Sequence, residues 1–352
     1  MASIRHVLPT RENCRRDVRV KNILVVGGAG YIGSHTCLDL HDKGYRPVVY
    51  DNLSNGHREF VQWGPFEEGD IRDTDRLEAV LARHSPDVIV HFAASIEVGE
   101  STRDPIGFYE NNVAGTISLL GAARKAGIDR LVFSSTCATY GEPQSVPMSE
   151  EHRQVPVNPY GRSKLMIEEM LKDAGRYLGM RSVVLRYFNA AGADPEGRIG
   201  EWHEPETHAV PIAIEAALGQ RDGFFINGRD YDTPDGTCVR DFVHVMDLAD
   251  AHSRAVRHLI EGGESLSLNL GTGQGTTVRQ LVDTVRRMSG REFPVETRGR
   301  RDGDAAALVA DNSRAKEALG WSPRFGLEEI VASALEWHRS RLGGEANAMP
   351  PA

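Results

Sequence analysis

Asn158-Pro159-Tyr160-Gly161-Arg162-Ser163-Lys164 holds the two side chains of this sequence best suited to moving a proton. Asn158 is a helix N-cap by type and Pro159 a first helical residue, so Tyr160 and Lys164, four apart, share a helix face. A phenol with its ordinary pKa near 10 is only about 0.1% ionised at neutral pH. A neighbouring ammonium and a second positive charge close by are expected to lower that value by about 3 units, which takes roughly 4 kcal/mol. Tyr160 then serves as a base for a hydroxyl proton. Alone, a Tyr and a Lys at this spacing are more often a surface pair. A second hydroxyl, Thr136, closes the run Phe133-Ser134-Ser135-Thr136 and is placed to bond the same substrate oxygen.

The proton chemistry needs a hydride acceptor, and a glycine loop supplies the place for one. Gly27-Gly28-Ala29-Gly30-Tyr31-Ile32-Gly33 follows the run Asn22–Val26 directly and opens a helical stretch. Glycines permit the tight turn and close backbone approach that a pyrophosphate requires, and the helix N-terminus offers N–H donors. Position carries more weight than glycine count here, because the first strand–helix turn is where such sheets bind a dinucleotide. Asp51 follows at the end of the second apolar run, where its carboxylate reaches a ribose 2′-hydroxyl and repels a 2′-phosphate. NAD is therefore expected rather than NADP. Asp70, ending the third run, is placed to contact the adenine.

The elements that must position these groups alternate along the chain. Strands are expected at Asn22–Val26, Pro47–Tyr50, around Phe66, Asp87–His91, Arg130–Ser134 and Ser182–Arg186. Helices are expected at Tyr31–Lys43, Leu77–Arg83, Asn111–Ala126 and after Pro159. That rhythm predicts an α/β fold, a doubly wound parallel sheet of Rossmann type, buried on both faces. It breaks in the Gly/Pro/Glu-rich stretch 192–206. The expected organisation is an extension 1–20, a cofactor domain 21–190, a smaller mixed α/β domain 191–342 and a tail 343–352. Part of 236–275 is expected to pack back on the first domain.

Composition excludes other classes. The 352 residues hold 41 Lys plus Arg against 50 Asp plus Glu, a net charge of −9. An acidic chain is a poor wrapper of nucleic acid, so no nucleic-acid partner is expected. No run approaches 18 apolar residues, so no membrane span is expected. Cys14, Cys37, Cys137 and Cys238 lie far apart without a C-x-x-C pair, which fits a reducing cytoplasm and neither a disulfide framework nor a zinc site. Arg15–Arg16 lacks the apolar stretch of an export signal. His203-Glu204 and His208 superficially match a helical zinc motif, but they are five apart across Pro205 and cannot share a helix face, so no metal is expected.

Taken together, these elements resemble the extended short-chain dehydrogenase/reductase family, and within it the UDP-sugar 4-epimerases. The resemblance runs over residues 22 to 325. It is carried by GGAGYIGSHT (27–36), DNLSNG (51–56), GDIRD (69–73), HFAA (91–94), VGES (98–101), NNVAGT (111–116), FSST (133–136) and NPYGRSKLMIE (158–168). RYFNAAGA (186–193), GTCVRDFVHVMDLADAH (236–252), NLGTG (269–273) and RRDGDAAALVAD (300–311) continue it.

The resemblance implies site residues by position. NAD would be held by Gly27, Gly30, Tyr31, Ile32, Gly33, Asp51, Asn52, Leu53, Ser54, Asn55, Gly56, Asp70 and Ile71. It would also meet Phe92, Ala93, Ala94, Ser95, Ile96, Asn111 and Phe188. Thr136, Tyr160 and Lys164 would be catalytic. Asn189, His208, Phe225, Ile226, Asn227, Arg240, Arg301, Asp304 and Leu308 would hold the UDP-sugar. Arg240 and Arg301 suit a pyrophosphate, since a guanidinium is a rigid fork of donors.

The implied activity is interconversion of UDP-glucose and UDP-galactose through a 4-keto sugar, by a homodimer. Leu308 stands where relatives carry either a bulky Tyr or a small residue, which leaves UDP-N-acetylhexosamines and UDP-pentoses open as substrates. A dehydratase or decarboxylase on the same fold carries an acid after the Ser/Thr, where this chain has Cys137 and Ala138. A non-catalytic NAD-binding regulator would not need Tyr160 and Lys164 together.

Overall fold

The computed structural model describes residues 20–301 and 303–348, with side chains as far as Leu342. The expected extension, apart from Val20, and the end of the tail beyond Ala348 lie outside the described residues, as does Cys14. The first part of the chain runs β1 (Asn22–Val26), α1 (Tyr31–Asp42), β2 (Arg46–Asp51), β3 (Phe66–Glu68), α2 (Thr74–His84) and β4 (Val88–His91). Two short helical turns follow, α3 (Val98–Arg103) and α4 (Pro105–Phe108), then α5 (Gly115–Lys125), β5 (Arg130–Thr136), α6 (Pro159–Leu178) and β6 (Arg181–Tyr187).

The second part runs β7 (Asn189–Ala191), α7 (Ala209–Leu218), β8 (Phe224–Asn227), β9 (Val239–Arg240), β10 (Phe242–His244) and α8 (Val245–Ile260). It closes with β11 (Leu266–Leu270), β12 (Thr276–Thr277), α9 (Val278–Ser289), β13 (Val295–Arg298), β14 (Ala307–Leu308), α10 (Ser313–Leu319) and α11 (Leu327–Ala348).

Seven parallel strands form the main sheet in the order β11-β6-β5-β4-β1-β2-β3. Strand alternation sends neighbouring residues of β1 to opposite faces. Ile23 and Val25 enter a core with Leu40 of α1 and Leu248, Ala251 and Ala255 of α8, while Leu24 and Val26 enter one with Leu77, Leu119, Ile167 and Leu171. Each such fully buried aliphatic side chain contributes about 1.5–3 kcal/mol of burial free energy. Because both faces are covered, the strands read as unbroken apolar runs, which is why the sequence marked them. α8 and β11 return to this sheet, β11 pairing with β6 from Leu266 opposite Val183 to Leu270 opposite Tyr187.

A smaller lobe has its own core, built from Val210 and Ile214 of α7, Phe224 and Ile226 of β8, Leu281 and Val285 of α9, and Ile330 and Leu335 of α11. In the first part of the chain, between β4 and β5, one helix departs from expectation. Asn111–Ala126 is not a single α-helix: Tyr109–Ala114 is a π-turn and α5 starts at Gly115. On this turn the adjacent Asn111 and Asn112 both donate to Ser95, to its hydroxyl and its carbonyl respectively.

Candidate active site

The glycine turn has the shape of a phosphate cradle. Gly27 has φ +84°, and a Cβ there would stand 2.5 Å from the Ala93 nitrogen. A Cβ on Gly33 would come within 2.1 Å of the Gly27 carbonyl oxygen, so α1 packs on the turn as only glycine allows. At Gly30 a Cβ would instead project into open cavity, meeting only the Gly27 oxygen at 3.5 Å. Gly30 is also the N-cap residue of α1 and offers no side-chain cap, leaving the first helical N–H groups to face a ligand. These features fit a dinucleotide pyrophosphate.

Asp51 ends β2 beside the turn. Its carboxylate accepts from the Ala29 and Leu53 nitrogens at 2.9 and 2.8 Å, which fixes its orientation. Burial raises its pKa against those backbone bonds. Asn52, Ser54, Asn55, Gly56, Ile71, Phe92, Ala93, Ala94, Ser95, Ile96, Asn111 and Phe188 line the same cavity, which measures about 2080 Å³.

Thr136 at the end of β5 and Tyr160 in the first turn of α6 face the same cavity, close enough that the Thr136 side chain lowers the Tyr160 pKa. α6 is started as the sequence predicts: the Asn158 side chain accepts from Gly161 N at 2.8 Å and Pro159 is the first helical residue. Lys164, 2% exposed, lies one turn further on and donates to the Ser134 carbonyl at 2.8 Å. Without the cofactor's charge, the chain's own groups act in the other direction. Burial pushes Tyr160 up to about 12, only partly offset by the nearby Thr136 side chain, and lowers Lys164 to about 7 against the pull of Glu168. Burial therefore shifts both groups toward their neutral forms, while the Phe133 ring, 4.9 Å from the Lys164 ammonium, favours its charge.

The other lobe completes the cavity. Asp304 accepts from Arg240 at 3.2 Å and from Arg301 at 2.8 Å, so one carboxylate holds two guanidiniums together. Asn189 lines the cavity with a buried Oδ1 that lacks a hydrogen-bond partner. Phe225 and Asn227 of β8 also line it, with the Arg298 guanidinium over the Phe225 ring. Leu308 of β14 lines it while packing against the Tyr140, Met148 and Phe188 cluster.

The structure places four of the expected site residues in settings that the sequence did not show. Ile226 is a core residue, 2% exposed, because β8 alternation turns Phe225 outward and Ile226 inward. Leu53, at φ +57°, packs against the sheet core and is outside the cavity lining. Asp70 is also outside the lining; its carboxylate is taken up by Arg72 and Asn52, which hold it well below the usual carboxylate range. Tyr31 lines the cavity, but its hydroxyl donates to the Gly192 carbonyl at 2.6 Å.

Sequence reading missed Asn112, which is 1% exposed and donates to Ser95 O and Ser163 Oγ, tying the loop at 95 to α6. It also missed a cluster in the loop before α7. His203 and His208 do not share a helix, yet the loop brings them together with Glu201 and Glu206. Burial opposes charging either imidazole, but the two carboxylates outweigh it and raise His203 to about 9 and His208 to about 10.

A parallel sheet that sets a Tyr-x-x-x-Lys helix beside its glycine turn places the protein in the class of extended short-chain dehydrogenases/reductases. Residues 24–334 match the sequence family described as GDP-mannose 4,6 dehydratase. The chain is 66% identical over 318 residues to the UDP-glucose 4-epimerase of Rhizobium leguminosarum bv. trifolii, covering 90% of this chain and 97% of that one. It is 66% identical to that of Rhizobium meliloti, covering 92% and 98%. The crystal structure of UDP-glucose 4-epimerase from Brucella ovis in complex with NAD superposes with a TM-score of 0.89 at 52% identity, over 90% of this chain and 98% of that one. The chain belongs to the UDP-glucose 4-epimerase family.

Proposed function

We propose that this protein is an isomerase that interconverts UDP-glucose and UDP-galactose with NAD, in galactose metabolism. The observation that carries the reading is that Thr136, Tyr160 and Lys164 share one cavity with Asn189, Arg240 and Arg301. The C4–H of a hexose is not acidic, so inversion there calls for oxidation to a ketone and reduction from the other side. Tyr160 takes the 4-hydroxyl proton while Thr136 bonds the same oxygen. The glycine turn and the start of α1 would hold NAD, which would supply a hydride acceptor at C4 and a positive ring that favours the Tyr160 phenolate. Lys164 would hold the nicotinamide ribose and lend charge when protonated. Arg240 and Arg301 grip the pyrophosphate, so the hexose can be held loosely and the flat keto sugar can turn over.

A dehydratase needs an acid near C5–C6, and Cys137, pushed up to about 12 by burial, is a poor one. Leu308 has intermediate bulk, which favours hexoses without excluding larger sugars. We also propose a cytoplasmic homodimer: the described cysteines are free thiols, and Ile106, Ile117 and Met166 are exposed on α4, α5 and α6. Light scattering of the purified chain reads the mass.

The test incubates the protein separately with UDP-galactose, UDP-N-acetylgalactosamine and UDP-arabinose without reductant and follows the products by proton NMR. UDP-glucose formed from UDP-galactose, and a loss of about a thousandfold in kcat for Tyr160→Phe, are expected. Loss of water from the substrate, or full activity in Tyr160→Phe, overturns the reading.

A further inference from the structure

The loop before α7 carries a cluster that proton transfer at Tyr160 does not use. Glu201 and Glu206 are 4% and 8% exposed, and two carboxylates buried together need positive charge between them. Both neighbouring imidazoles present the same ring nitrogen. His208 Nδ1 lies 2.9 Å from Glu206 Oε1 and 3.0 Å from Glu201 Oε1. His203 Nδ1 lies 3.5 Å from Glu201 Oε1 and 3.6 Å from Glu206 Oε2, and it is a buried atom with no hydrogen-bond partner.

Those last two separations are poor for hydrogen bonds but right for donors that share a cation. Zinc–ligand bonds of about 2.0–2.1 Å set neighbouring donors of a tetrahedron about 3.3–3.4 Å apart. Glu206 Oε1 already accepts from the Thr207 and His208 nitrogens at 2.7 and 2.8 Å, which leaves Oε2 turned toward His203. One ligand atom from each of the four residues lies within 4.8 Å of all the others.

We infer that Glu201, His203, Glu206 and His208 form a binding site for one divalent cation of the zinc class. Two imidazole nitrogens and two carboxylate oxygens suit zinc, whereas calcium and magnesium take six or more oxygens. One dication balances the two carboxylates and leaves both imidazoles neutral. Its role is structural, since Thr136, Tyr160 and Lys164 are not in the cluster. The Tyr31 ring meets the His203 ring edge-on at 6.1 Å while the Tyr31 hydroxyl holds Gly192. His208 is the N-cap residue of α7, whose first residues line the cavity. The cation thus fastens the loop between β7 and α7 against α1, fixing one wall of the cavity. The inference does not depend on the epimerase reading.

The test uses the full-length protein, stripped by a chelator, equilibrated with micromolar Zn²⁺ and desalted, with metal counted by mass spectrometry. About one zinc per chain is expected, with a rise of about 5 °C in the thermal midpoint. His203→Gln and Glu206→Gln are each expected to cut retained zinc at least tenfold. Co²⁺ in the wild-type chain, which needs no variant, is expected to give the intense visible bands of a tetrahedral site. Under a tenth of a zinc per chain, wild-type retention in both variants, or weak octahedral Co²⁺ bands overturns the inference and leaves protons on His203 and His208 as the balancing charge.

Discussion

The ammonium of Lys164 donates to the carbonyl oxygen of Ser134 at 2.8 Å, one helical turn beyond Tyr160. The two residues sit on neighbouring elements, α6 and β5, so the contact pins the catalytic helix to the strand that carries Thr136. It also keeps an amine in a place where burial disfavours its charge.

That conflict makes stability depend on pH. Burial lowers Lys164 from 10.5 to about 7, so between those values the unfolded chain binds more protons than the folded one and stability climbs with pH. The penalty is fully present below about pH 7. Lys164→Met removes it and should raise stability at pH 7 by on the order of 2 kcal/mol, with the gain fading toward pH 10. Urea titrations at the two pH values check this; a gain that grows with pH contradicts the shift. Activity falls in the same variant, which separates the residue's chemical role from its cost to folding.

Gly33 is required by backbone rather than by any side chain. Its Cβ would meet the Gly27 oxygen at 2.1 Å and Gly28 Cα at 2.9 Å, and neither can swing aside. Gly33→Ala should open the turn and cut NAD carried per chain at least tenfold, read by chromatography of the released nucleotide. Gly121→Ala is the control: a Cβ there meets nothing within 4 Å, and it lies within α5, where alanine is the better helix former by about 1 kcal/mol. Equal NAD content in the two variants would remove the steric argument.

Much of this was legible because the signals are local. The β-branched runs of β1, β2 and β4 are buried on both faces, and the Asn158–Pro159 start of α6 is a matter of two residues. What escaped depends on distance. Asp70 looks free in sequence until Arg72 turns back on it. Ile226 and Phe225 are interchangeable by composition, and only the face β8 turns to the α7–α11 core separates them. Glu201, His203, Glu206 and His208 fail every helical spacing rule because a loop, not a helix, gathers them. The upward shift of Tyr160 follows from enclosure, which spacing does not encode.

Arg301 is expected to act on binding alone. It bonds Asp304 at the same carboxylate that steadies Arg240, far from the Thr136–Tyr160 pair in sequence and on the other lobe. A grip on the nucleotide that is equal in ground and transition states changes KM without changing kcat. Arg301→Ala should raise KM for UDP-galactose by about a hundredfold, and the Kd for UDP in parallel, with kcat within about twofold. A fall in kcat at unchanged KM would place this arginine in the reaction rather than in the grip.

Glu168 and Arg186 form an ion pair inside the protein, at 2.6 Å, with side chains 0% and 3% exposed. Ser135 and Gln154 donate to the same carboxylate, and Arg186 also donates to the Tyr140 hydroxyl, so α6 is locked to β5 and β6 just beyond Lys164. Removing one partner of such a pair leaves the other charge buried and uncompensated. Glu168→Gln should therefore destabilise by about 3–5 kcal/mol, whereas Glu168→Gln with Arg186→Met should cost less than the single change. Glu168 also raises the Lys164 pKa, so the single variant should move the alkaline limb of the pH–rate profile, where Lys164 loses its proton, to lower pH. Additive losses in the double variant, measured by urea unfolding of the holoenzyme, would mean that the pair is not coupled.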